Sequence, residues 1–171
     1  MTAITADFFR GGVSPSISPG SSSASESVAS YFAETGKSVL AAASTLQSRA
    51  AAVLARLQRE CSVKGWDGYE ARPIAPRTIA RAQIFVNALP YWMPAPEIVP
   101  ESDGEIAIEW DSSPTEIFSI SIGEQSAIHF SGLFGEDKER HGVEPFEDFI
   151  SEEILYYINQ LLRMPATRRV A

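Results

Sequence analysis

The chain has little cysteine: one residue, Cys61, in 171. A lone thiol closes no intrachain disulfide and builds no cysteine-based zinc site, so a disulfide-stapled scaffold is excluded. No run of about 18 apolar residues occurs, so no membrane-crossing helix is expected. Histidine is scarce too, with only His129 and His141. No glycine-rich phosphate loop opens a helix, and no G-x-S-x-G elbow is present. Lys138 is the only lysine in or beside the expected strands, so the Asp…Glu-x-Lys pattern of metal-dependent nucleases is missing. Strands and helices do not alternate as β-α-β, which argues against a doubly wound parallel sheet. Positive charge is in short supply as well: 14 Lys and Arg face 22 Asp and Glu, for a net charge of -8. Such a chain is a poor general binder of nucleic acid or anionic membrane.

What is present begins with apolar content. Hydrophobic residues make up 44% of the chain, too much for a wholly disordered one. The length fits one domain at about 150 residues each. Charge is divided unevenly along it. Residues 1–90 hold nine basic and six acidic side chains, whereas residues 91–171 hold five and sixteen. The first part is therefore mildly positive and the second strongly negative, a pattern that gives the field a direction.

Residues 1–24, rich in Ser, Gly and Pro, are expected to be a disordered tail. They lack the basic start and apolar core of a signal peptide. Residues 25–164 then form a single α+β domain, with a frayed tail at 165–171. Residues 25–62 read as one long helix, rich in Ala, Leu, Gln, Arg and Glu, with Gly36 as a point of weakness. Val39, Ala43, Leu46, Ala50, Val53 and Leu57 recur at spacings of four and three, a heptad seam that predicts a homodimer through this helix. The rival reading is an internal helix pair. Pro76 opens a second helix over 76–89, with Ile79, Ala82, Val86 and Leu89 on one stripe. Alternation of period two over 104–131 predicts three antiparallel strands with one wet face, and Ile98 and Val99 can add an edge strand. Residues 132–144 read as a charged loop. A final helix over 145–164 carries Phe146, Phe149, Ile150, Ile154, Tyr157, Ile158 and Leu161. The expected fold is thus a long helix, a second helix, a three- to four-stranded antiparallel meander, and a C-terminal helix packed on one sheet face.

Cys61 falls on the apolar side of a helix end, which suits a buried structural thiol. His129 is predicted on the wet sheet face near Glu105, Glu109 or Asp111. A histidine–carboxylate group of that kind, with His129, Glu109 and Asp111, is what a metal-assisted hydrolase would use. A polar sheet face with cross-strand pairs explains the same residues. Arg49, Arg56, Arg59, Lys64, Arg72, Arg77 and Arg81 can meet phosphates, yet no helix-turn-helix pattern accompanies them. They suit pairing with the acidic half of this chain or of a second subunit, and direct nucleic-acid binding is not expected. Trp66, Tyr69 and Trp110 can instead stack on a ligand, although Trp66 and Trp110 also suit the core. No cofactor or metal is expected. The absence of catalytic patterns beside an acidic half points to a non-enzymatic interaction protein. Its acidic face, Glu105, Glu109, Asp111, Glu116, Glu136, Asp137 and Glu139, would bind a basic protein surface.

Two stretches carry a resemblance: Gly65-Trp66-Asp67-Gly68-Tyr69-Glu70-Ala71-Arg72-Pro73-Ile74, and Asp103-Gly104-Glu105-Ile106-Ala107-Ile108-Glu109-Trp110. Over roughly residues 60–130 the chain resembles a family of uncharacterised bacterial proteins, common in mobile and phage-derived regions, with W-D-G-Y-x-A-x-P and D-G-x-I-x-x-E-W motifs. The resemblance implies a bacterial or phage protein of the cytoplasm and brings no catalytic residues. In that setting the basic partner would be a toxin, a nuclease or a nucleic-acid-binding complex, and the effect inhibition.

Overall fold

The structure, a computed structural model, describes residues 23–163, apart from the side chains of residues 23–26, 39, 40 and 42–44. The expected tails at 1–24 and 165–171 lie, but for residues 23 and 24, outside the described residues. Three helices and five strands follow in the order α1 (Ser23–Glu60), α2 (Pro76–Ala88), β1 (Glu97–Pro100), β2 (Ile106–Ser113), β3 (Glu116–Ile122), β4 (Ala127–Phe134), β5 (Glu139–Pro145) and α3 (Glu152–Arg163). The strands form one antiparallel sheet in sequence order. The fold is α+β, with one strand more than the sequence predicts. The chain divides after Lys37, inside α1, into two compact units. In the first, Val28, Tyr31 and Phe32 are exposed. The second holds the sheet, α2 and α3.

Alternation dictates what the sheet buries. Ile106, Ile108, Trp110, Phe118, Ile120, Ile122, Ile128, Phe130 and Phe134 all face one side and are buried. The helices cover that side: α2 brings Ile79, Ala82, Phe85 and Val86, and α3 brings Ile154, Ile158 and Leu161. The last turns of α1 add Ala50, Leu54 and Leu57, followed by Cys61. Ala50 and Leu57 of the heptad seam are therefore consumed by the chain's own core, with Leu46 and Val53 partly buried against it. The side chains of Val39 and Ala43 lie outside the described residues. An internal packing role thus replaces the intermolecular one for the C-terminal half of the seam.

Residues 132–144 are not a loop. They complete β4, turn at Gly135 (φ 93°) and return as β5. The inward positions of β5 are Arg140, Gly142 and Glu144, so no apolar alternation marks the strand. Glycine stands where a neighbour's ring needs room. A Cβ at Gly142 would lie 2.6 Å from the Phe130 ring, and one at Gly132 would lie 2.8 Å from both the Phe118 and Phe134 rings. These three phenylalanines surround Tyr157 of α3 at centroid separations of 5.9, 5.6 and 5.8 Å for Phe118, Phe130 and Phe134. The last helix also starts later than predicted. Pro145 ends β5, Phe146 and Ile150 are buried in the connection, and the first turn of α3 carries Glu152 and Glu153, where the helix dipole favours acids.

Candidate functional site

Among the described residues, no helix covers the other face of the sheet. Across the strands its rows read Glu97, Glu109, Ser119, Ser131, His141, and beside them Val99, Ala107, Ser121, His129, Val143. A shallow basin of about 440 Å³ opens here, walled by Glu101, Glu109, Ser119, Ser121, Ser131 and His141. The hydroxyls of β3 hold the carboxylates in place. Ser119 Oγ donates to Glu109 Oε1 at 2.9 Å, and Ser121 Oγ donates to Glu101 Oε2. Serine suits this position because it is short enough to lie between neighbouring strands and still donate.

Glu105 stands at the head of the face, where the β1–β2 turn delivers it. Asp103 Oδ1 accepts from the Glu105 amide at 3.0 Å, and Gly104 turns the chain with φ 92°. Burial, then the Asp103 carboxylate, pushes the Glu105 carboxyl above its ordinary value; Glu101 adds to this and His129 opposes it. The protein thus holds a carboxylate where its charge is disfavoured, a cost that a cation would relieve.

The acidic residues predicted from sequence separate into groups. Glu109 sits in the basin, Glu105 at its head, and Asp111 is exposed farther along β2. Glu136 and Asp137 are exposed in the β4–β5 turn, and Glu139 is exposed at the basin wall. Glu116 is a correction: in phase with Phe118 and Ile120, it points to the helix side and is only 5% exposed. It is not part of the acidic surface.

The proposed histidine–carboxylate cluster does not assemble. His129 is level with Ser121 and Ala107, not with an acid. Glu109 is two strands away, about 10 Å at roughly 4.8 Å per strand, and Asp111 is farther still. These separations are too long to share one ion at 2–2.6 Å ligand distances. Among the described residues, no group of three or more His, Cys, Asp and Glu is placed to hold a metal.

Nor do the aromatic candidates form a stacking site. Trp110 is buried, and its indole N–H donates to the Pro94 carbonyl at 3.0 Å. Trp66 packs against the core and donates to the Arg72 carbonyl at 2.8 Å. Tyr69 alone is open, 84% exposed, on a loop held by Asp67 Oδ1, which accepts from the amides of Tyr69 and Ala71. The two motif stretches meet each other: the Arg72 amide donates to the Ser102 carbonyl at 2.8 Å, and Gly104 lies against the Pro73 carbonyl. Both motifs therefore do a structural job, fastening the connection after α1 to the β1–β2 turn.

The basic candidates also split. Arg81 is only 8% exposed and lies 5.7 Å from the centre of the Phe146 ring, so it cannot serve phosphates at the surface. Arg49 and Arg56 line a separate groove between α1 and β1, together with Leu46, Val53 and Ile98. Among the described residues, ion pairs join Arg56 to Glu60 and Lys64 to Glu70, so neither reaches the acids of the sheet.

Sequence reading passes over Glu101, puts Ser119, Ser121 and Ser131 on the wet face without a role, and leaves His141 in a charged loop. The serines follow from the alternation of β3 and β4 once the open face is chosen. His141 needed β5, which the apolar pattern does not announce. No family model, no curated protein and no solved structure matches this chain.

Proposed function

We propose that the chain is a non-enzymatic interaction protein whose open sheet face receives a basic protein surface. The reading rests on one observation: among the described residues, a sheet face without a covering helix carries Glu97, Glu101, Glu105, Glu109, Asp111 and Glu139, against which Arg140 at the basin wall is outnumbered. The serine hydroxyls hold two of these carboxylates ready, so less side-chain freedom is lost when a cationic side chain arrives. Burial first, and then the Asp103 carboxylate, disfavour the Glu105 charge, and a lysine or arginine brought beside it offsets part of that cost. The motif resemblance supports a bacterial or phage setting in the cytoplasm, in which a basic toxin, nuclease or nucleic-acid-binding complex would be inhibited by occlusion.

The test is capture of the partner from the native host at low salt, followed by elution with salt. Partner binding should weaken steeply with ionic strength. It should be lost in the triple variant Glu105→Lys, Glu109→Lys, Asp111→Lys. Binding that ignores both salt and charge reversal refutes the reading.

A further inference from the structure

The two edges of the sheet differ in what they offer a new strand. At β1, the Glu101 amide donates to the Glu105 carbonyl at 2.9 Å, so alternation turns the backbone of Ile98 and Pro100 outward. Pro100 has no N–H, nor has Pro96 just before the strand, and Ile98 is left as the lone outward donor. That edge is blunted against strand addition. At β5, the Phe134 amide donates to Lys138 O and the Phe146 amide to Ser126 O, both at 2.8 Å. These bonds bracket the β4–β5 ladder and turn the even-numbered backbone of β5 toward β4. Glu139, His141 and Val143 therefore present their amides and carbonyls outward. Val143 is 58% exposed there.

The sequence of this edge is self-complementary. Place a two-fold axis on Gly142 and run a second β5 antiparallel to the first. His141 then falls opposite Val143 of the second copy, and the two exchange both backbone bonds, as do their symmetry mates. Arg140 falls opposite Glu144 of the second copy, twice over. Glu139 falls opposite Pro145 of the second copy, the one residue unable to donate. The carbonyl thereby deprived is Glu139 O, which already accepts from Arg140 Nη1 at 2.7 Å. Moving the axis by one residue sets Arg140 against Gly142 or against Phe146 of the second copy and dissolves both charge pairs.

We propose that two copies of this chain join edge to edge through β5, giving a ten-stranded sheet with its two acidic faces side by side. The two Arg140–Glu144 pairs across the strands favour this register. The interface replaces the helical seam, whose C-terminal half lies in the core. It goes beyond the partner-binding reading and is independent of it.

Sedimentation velocity on the full chain, up to about 200 µM, tests the proposal. The wild type should show a concentration-dependent dimer. Val143→Pro, which deletes an outward amide at an exposed edge, should give a monomer with an unchanged far-UV spectrum. Arg140→Glu and Glu144→Arg should each weaken the dimer by about tenfold, and the two combined should restore it. That rescue also covers the case in which the proline variant fails to fold. A wild type that stays monomeric throughout overturns the proposal, including one whose β5 edge takes up a foreign extended peptide. So does a dimer indifferent to all three changes.

Discussion

Gly132→Ala puts the packing of the aromatic layer to the test. The glycine lies on the helix side of β4, opposite Phe118. An added Cβ would sit 2.8 Å from Phe118 Cδ2 and 2.8 Å from Phe134 Cε2. Neither ring has room to retreat: Phe118 is 0% and Phe134 3% exposed, and both pack on Tyr157. Overpacking of this kind costs about 1–3 kcal/mol. Replacing glycine reduces the entropy of the unfolded chain, which returns about 0.4–1 kcal/mol. The net expectation is a loss of about 1–2 kcal/mol. At this chain length, that corresponds to a fall in Tm of roughly 3–6 °C. Urea unfolding followed by tryptophan fluorescence and circular dichroism should show a lower midpoint with the slope unchanged. The loss should shrink when Phe134→Leu is combined with it, since the two changes share one volume. A Gly132→Ala variant as stable as the wild type would refute this account of the layer.

Three further outcomes are expected. Because folding raises the Glu105 carboxyl above its ordinary value of 4.5, its contribution to stability is fully present below that value and is lost as pH rises through the folded pKa. Glu105→Gln should therefore be more stable than wild type at neutral pH and lose this part of the pH dependence; a less stable variant contradicts the assignment. The Cys61 thiol is buried at 3% exposure and pushed up by that burial, so a thiol reagent should label it only after denaturation. Rapid labelling of the native protein would show that the end of α1 is open. Gly36 lies inside α1 with open space around its Cα, so Gly36→Ala should raise helicity and stabilise that segment by up to about 1 kcal/mol. A drop in far-UV helix signal would count against a helix through this position.

Periodicity made much of the fold legible. Ile106, Ile108 and Trp110 alternate with Ala107 and Glu109, and Phe118, Ile120 and Ile122 with Ser119 and Ser121. Each pattern reports a strand with one buried face, because side chains alternate across the sheet. The stripe Ile154, Ile158, Leu161 reports α3 in the same way, at helical spacing. Local chemistry also showed where α2 begins, since Pro76 is tolerated at a first helical position. None of these signals depends on distant parts of the chain.

What depends on distant parts was not legible. β5 has glycine and charge where an inward face should be apolar, because Phe130 fills the space over Gly142 from the next strand. Glu116 looks like any surface acid until the register of β3 turns it inward. The heptad seam of α1 reads equally well as a partner surface or a core face, and only the core that buries Ala50, Leu54 and Leu57 decides between them. His129, Glu109 and Asp111 share a face, but the number of strands between them separates the histidine from the acids. Sequence determines the period of each element and hence which residues share a face. Which face meets which, and across how many strands, is decided by tertiary packing, because burial and distance belong to pairs of elements and not to one segment.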